Sequence, residues 1–186
     1  MTVTVLDPIS ALIVVDLQKG IVSLPTAHPI DMLLKRVATL TDAFRACGLP
    51  IVLVNVAGAA PGRTEQTRVA RELAADWTDL VPELNRQPQD HAITKRTPGA
   101  FTGTDLEAYL RAQGVTQVVI VGVATSNGVE VTARQAYELG FNVTLAIDAM
   151  TDPHADAHAY SVARTFPRIG ETGTAQDVVD LLKRSA

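Results

Sequence analysis

The stretch VVIVGVATSNGVEVTARQAYELGFNVTLAID, residues 118–148, decides the fold. Residues 118–123 are wholly apolar, with none of the alternation that marks a strand facing water on one side. A strand covered on both faces reads this way and belongs at the centre of a parallel sheet. Residues 126–139 follow as a helix ended by Gly140, and residues 142–147 form the next strand, finishing at Asp148. Strand, helix, strand in that order is one βαβ unit.

The same alternation continues in both directions. Residues 11–15 are a first strand with Asp16 at its carboxyl end. Residues 31–47 place Leu33, Leu34, Val37, Leu40, Phe44 and Cys47 on one helical face, and Gly48 and Pro50 stop that helix. Residues 51–56 are a second buried strand, followed by a loop over 57–64. Residues 65–84 are the least regular part, read as a helix over 67–75 and a turn holding Trp77. Residues 91–95 are a short third strand ending at Lys95, and the Pro98, Gly99 turn leads to Phe101 and a helix over 104–113, with Thr104 and Glu107 as a capping box. The tail adds a helix over 155–165, an edge strand near 168–170 and a last helix over 174–183. Only about six strands are available where a closed barrel needs eight. The expectation is a single α/β domain over residues 1–186, a three-layer α/β/α Rossmann-like sandwich around a mostly parallel six-stranded sheet.

Composition narrows the function. Lys and Arg total 16 against 20 Asp and Glu, for a net charge of −4 with no run of like charges, which argues against nucleic-acid or anionic-membrane partners. No apolar stretch approaches the roughly 20 residues that span a bilayer. Residues 1–8 lack the basic start and apolar block of a secretory leader. One cysteine, Cys47, makes no internal disulfide, and a cytoplasmic location is expected.

In an open parallel sheet, ligands bind beyond the carboxyl ends of the strands. Asp16 leaves strand one there, Lys95 leaves strand three, and the turn at 122–128 joins strand four to a helix start, where backbone N–H groups and the helix dipole favour an anion. Burial would raise the Asp16 pKa and a nearby lysine would lower it, so sequence leaves its protonation open.

ALIVVDLQKG (11–20) and ITKRTPGAFTGTDLEAYLRAQGVTQVVIVGVATSNGVEVTARQAYELGFNVTLAIDAMTD (93–152) resemble the isochorismatase-like, or cysteine hydrolase, superfamily. The resemblance implies that Asp16 and Lys95 are catalytic. It also puts Gly128 where the amidohydrolase branch carries its nucleophilic cysteine. Cys47, on the buried face of the first helix, does not replace it. True isochorismatases are similar in having glycine there; they protonate a vinyl ether from the Asp, and water captures the oxocarbenium ion. They differ in carrying an aromatic residue and a histidine in this turn, where Ala124 and Ser126 stand. By the same resemblance the Val123–Ala124 peptide is cis, and Gln18, Gln66, Arg68, Phe101, Ala124, Thr125, Ser126 and Asn127 surround the substrate.

Other residues have plainer expectations. Ser126 and Asn127 suit helix capping, with substitute nucleophile or oxyanion groups as the alternative, Glu130 and Arg134 suit an i,i+4 pair, and Asp148 and Asp152 turn formation. Trp77 and Phe101 suit either the pocket mouth or packing. His91, His154 and His158 read as surface histidines, residues 52–63 lack the histidines of a nicotinamidase metal site, and no metal or cofactor is expected. The sequence therefore points to a hydrolase of a small metabolite, and the resemblance implies assembly as a dimer or larger homo-oligomer. The other class is a non-catalytic small-molecule-binding relative.

Overall fold

The computed structural model describes residues 3–65 and 73–185. Six strands, β1 (Ser10–Val15), β2 (Ile51–Val56), β3 (His91–Lys95), β4 (Gln117–Val123), β5 (Asn142–Thr151) and β6 (Glu171–Gly173), form one sheet in the order β3-β2-β1-β4-β5-β6. Every pairing is parallel. The chain works outward from β1 to one edge and returns through β4 to the other, so the strand order reverses between β1 and β4, where such sheets bind ligands.

β1 and β4 are buried at every position, as their unbroken apolar runs require. Their residues alternate between two cores. Leu12, Val14, Val119 and Val121 meet α2 (Ile30–Ala46) and α6 (Ala175–Ser185), whereas Ala11, Ile13, Val118 and Ile120 meet α3 (Leu106–Ala112) and α4 (Glu130–Glu138). Each fully buried branched side chain contributes about 2 kcal/mol relative to exposure. β3 lies at an edge, with Ile93 and Lys95 inward and Ala92 and Thr94 exposed. Among the described residues no helix is long and apolar enough to cross a membrane.

Several boundaries depart from the sequence reading. β5 runs past Asp148 to Thr151, because its pairing with β4 shifts register: Ile120 faces Leu145, but Gly122 faces Met150. Such irregularities re-aim chain beside functional sites. β6 lies at Glu171–Gly173 rather than 168–170, since Pro167 starts a 3₁₀ turn that Gly170 closes by donating to the Phe166 carbonyl. A π-helical turn, Thr125–Val129, precedes α4, and another, Ser161–Thr165, follows α5 (Ala155–Tyr160). Thr104 and Glu107 form no reciprocal capping box: the Thr104 hydroxyl donates to Ala100 O and accepts from Leu106 N–H, while Glu107 pairs with Arg111. Most of the helix expected over 67–75 lies outside the described residues, and residues 73–75 are not helical. Cys47 is exposed, not buried: α2 stops at Ala46, and the turn into Gly48 carries the thiol off the helical face.

Gly122 shows how closely β1 and β4 meet. Its φ is +119°, and a Cβ there would fall 2.1 Å from the Val15 carbonyl oxygen. Gly122→Ala is expected to destabilise the protein by about 3 kcal/mol or more, since both the dihedral and the clash are with fixed backbone. Urea unfolding measures this, and a midpoint equal to wild type would contradict it.

Candidate active site

Asp16 is the first residue beyond β1. Its φ of +53° turns the chain sharply out of the sheet, and its N–H still donates to Val54 O at 2.8 Å. An aspartate tolerates this left-handed conformation better than most residues. The side chain is almost entirely buried, with Oδ2 2.7 Å from Lys95 Nζ. Lys95 begins two strands away and reaches past the end of β2. Its side chain is 2% exposed, and Nζ also donates to Pro98 O at 2.8 Å and Thr97 O at 3.3 Å. All three ammonium hydrogens thus have partners, which a buried lysine charge requires.

The carboxyl group is less well served. Burial pushes the Asp16 pKa up to about 6, outweighing the attraction and hydrogen bond of Lys95 that pull it down. Among the described residues, the buried Oδ1 has no hydrogen-bond partner. Because the folded value lies above the ordinary 3.8, the contribution of this group to stability is complete below pH 3.8 and is lost as pH rises through about 6.

Gly128, in the π-helical turn, lies against this carboxylate. A Cβ at Gly128 would be 3.1 Å from Asp16 Oδ2, 3.1 Å from Val15 Cγ1 and 3.3 Å from Val123 O, so even a methyl group requires its neighbours to give way. The preceding peptide, Val123–Ala124, is cis. Two residues of α4 connect the turn to the lysine loop. Thr132 Oγ1 donates to Gly128 O at 2.6 Å and accepts from Ala100 N–H at 3.1 Å, and Gln135 Oε1 accepts from Phe101 N–H at 3.2 Å. The loop whose carbonyls hold Lys95 is thereby fixed to the helix that follows Gly128.

A cleft of about 360 Å³ opens over these groups. Asp16, Lys95, Ala124, Asn127 and Gly128 line it, with Ile21, Leu24, Pro25 and Thr26 from the chain after β1, Val56 at the end of β2 and Gly58, Ala59 and Ala60 beyond it. Most of this lining is apolar.

The expected substrate residues divide. Ala124 and Asn127 line the cleft. Gln66 and Arg68 lie outside the described residues. Gln18 is instead a buried brace: its amide donates to Val56 O and Trp77 O and accepts from Val56 N–H. Phe101 packs towards Phe141, with ring centroids 6.1 Å apart, rather than into the cleft. Trp77 sits over Gly20, where any Cβ would strike its indole, so packing accounts for it. Thr125 is fully buried, its hydroxyl 2.8 Å from His158 Nδ1.

Ser126 and Asn127 do not cap the helix with their own side chains; Asp152 serves there, accepting from Ser126 N–H and Oγ–H. Asp148 accepts from Ala175 N–H and pairs with Arg36 at 3.1 Å. Glu130 and Arg134 form their i,i+4 pair. His158 is half-buried, its pKa lowered by burial and by His28, with Asp152 opposing. His91 is also more than a surface residue, stacked on Tyr109 at 3.9 Å and paired with Asp105 at 3.2 Å. Thr132, Gln135 and the full part of Asp152 were not anticipated. The one sequence signal was Thr132 four residues after Gly128, a spacing at which a threonine hydroxyl reaches back to a carbonyl.

Comparisons with known proteins establish the family. The isochorismatase domain model matches residues 10–177. The chain is 38% identical over 181 residues to the isochorismatase family protein YwoC of Bacillus subtilis, covering 94% of each, and 38% identical over 182 residues to YecD of Escherichia coli O157:H7, covering 93% of this chain and 96% of that one. An isochorismatase family protein from Burkholderia thailandensis superposes with a TM-score of 0.92 at 39% identity, covering 96% of this chain and 98% of the other. The chain therefore belongs to the isochorismatase family. That family is one of hydrolases, among them nicotinamidase 3 of Arabidopsis thaliana, 30% identical over 159 residues, which cover 81% of this chain and 77% of that one.

Lysine 95 supplies both influences that lower the Asp16 pKa. Lys95→Met is therefore expected to leave burial unopposed and to raise the Asp16 pKa above about 6. Carbon-13 NMR titration of labelled aspartate carboxyls, assigned by the signal missing from Asp16→Asn, reads this; an unchanged or lower value would refute the pairing.

Proposed function

We propose that the protein hydrolyses a vinyl ether of a small metabolite, with Asp16 as general acid and no covalent intermediate. The observation that carries this is the juxtaposition of a buried carboxyl, whose pKa is raised to about 6, with a glycine where a thiol would be needed for amide attack. Protonated Asp16 donates its proton to the enol carbon, and the ether oxygen stabilises the resulting oxocarbenium ion. Water adds to that cation and returns a proton to the carboxylate; the hemiketal then collapses to a carbonyl compound and an alcohol. Lys95, held by two carbonyls, balances the carboxylate left after proton transfer. The apolar lining keeps bulk water from quenching the acid and raises its pKa towards the working range.

Isochorismate is the first probe. Asp16→Asn is expected to lower kcat/KM by at least about 100-fold while melting as a folded protein. Wild-type activity in that variant would end the proposal. The active form is protonated, so kcat/KM is expected to fall about tenfold per pH unit above about 6. A profile rising through that pH would identify Asp16 as a base instead.

The second reading, a binding protein without turnover, rests on the same missing sulfur. It predicts that isochorismate raises the melting temperature without being consumed. Gly128→Cys then separates lost chemistry from a different chemistry: cleavage of nicotinamide by that variant alone would assign the loss to the thiol.

A further inference from the structure

The turn at residues 124–129 covers the Asp16 carboxylate, yet none of its own side chains caps the helix it begins. The restraint comes from the end of β5. Asp152 is 1% exposed. Its Oδ2 accepts from Ser126 N–H at 2.8 Å and Ser126 Oγ–H at 2.7 Å, and its Oδ1 accepts from His154 N–H at 3.0 Å. Its own carbonyl accepts from Ala27 N–H at 2.8 Å. The adjacent Thr151 hydroxyl accepts from His28 N–H at 3.2 Å. Thr26 and Asn127, which both line the cleft, are thus attached through neighbouring residues to the last residue of β5 and the one after it.

We propose that Asp152 is a positioning residue of the active site, which holds the Gly128 turn against Asp16 and ties it to the segment after α1 (Lys19–Val22). Two features make a carboxylate the group suited to this task. Three donors converge on it, and an amide in its place would turn an N–H towards one of them. Charge-assisted bonds are roughly twice as strong as neutral ones, and the start of a helix favours an anion. The carboxylate also occupies the position that the helix start would otherwise offer to an anionic substrate group. This inference stands on the site geometry and is independent of which bond the enzyme cleaves.

The test is the acidity of Asp16, followed by carbon-13 titration in wild type, Asp152→Asn and Ser126→Ala. Release of the turn admits water over Asp16, so Asp152→Asn is expected to make Asp16 about tenfold stronger as an acid. Ser126→Ala, which removes only the hydroxyl bond, should shift it in the same direction by less. A lowered melting temperature in folded Asp152→Asn with Asp16 titrating as in wild type would reduce Asp152 to a purely structural part and overturn the proposal. Hydrogen exchange of the wild-type Ser126 amide needs no variant: strong protection is expected, and exchange at the rate of an open chain would also overturn it.

Discussion

The site depends on one ion pair in an apolar wall. Asp16 and Lys95 meet at 2.7 Å with almost no exposure, and the two charges are solvated by unequal means. The lysine has two carbonyl oxygens besides its partner, whereas the carboxylate has the lysine on one oxygen and, among the described residues, no hydrogen-bond partner on the other. In a low-dielectric setting the attraction of a single cation does not compensate for the water that a carboxylate loses. The outcome is a lysine held by three oxygens beside an aspartate whose pKa is pushed up to about 6. This asymmetry is what an acid catalyst requires: one partner must surrender and recover a proton while the other stays fixed.

Such a pair persists only where the surroundings hold both ends. β1 and β3 deliver the two residues to the same edge of the sheet, but they are separated by β2. The remaining distance is closed by a long lysine side chain and by the carbonyls of Thr97 and Pro98 that receive it. Those carbonyls are in turn positioned from α4, through Thr132 and Gln135. Hence the helix following Gly128 fixes both the roof over Asp16 and the socket of Lys95. A change in α4 at either residue acts on both halves of the pair.

Much of this was legible in the sequence. The wholly apolar runs of β1 and β4 announced central parallel strands, and a polar residue directly after β1 and another at the end of β3 marked the reactive edge. What was not legible arose where tertiary contacts overrode local pattern. Phe101 and Gln18 follow the family motif but spend their side chains on packing and on backbone bonds. Cys47 continues the three-residue spacing of the buried face, yet it stands beyond the last helical turn and faces out. The anion-friendly reading of the 122–128 turn failed to foresee that the protein's own carboxylate, 26 residues later at Asp152, would be its occupant. No periodicity encodes that pairing, because it depends on the register shift that carries β5 beyond Asp148.

The glycine at position 128 carries the chemical consequence furthest. A cysteine here would not slip into an empty space, for its Cβ alone would crowd Asp16 Oδ2, Val15 and the Val123 carbonyl at 3.1–3.3 Å. The carboxylate occupies the volume that a nucleophile's stem would need, and it is buried more deeply for doing so. With glycine at 128 no side chain holds the turn away from the acid, and the closeness of the two adds to the burial that raises the carboxyl's pKa. Under the proposed function, a site with a carboxyl that stays protonated to about pH 6 and no thiol gains nothing against an amide carbonyl, which must still be attacked. It suits the bond of the proposed reaction, one that breaks once a carbon has been protonated.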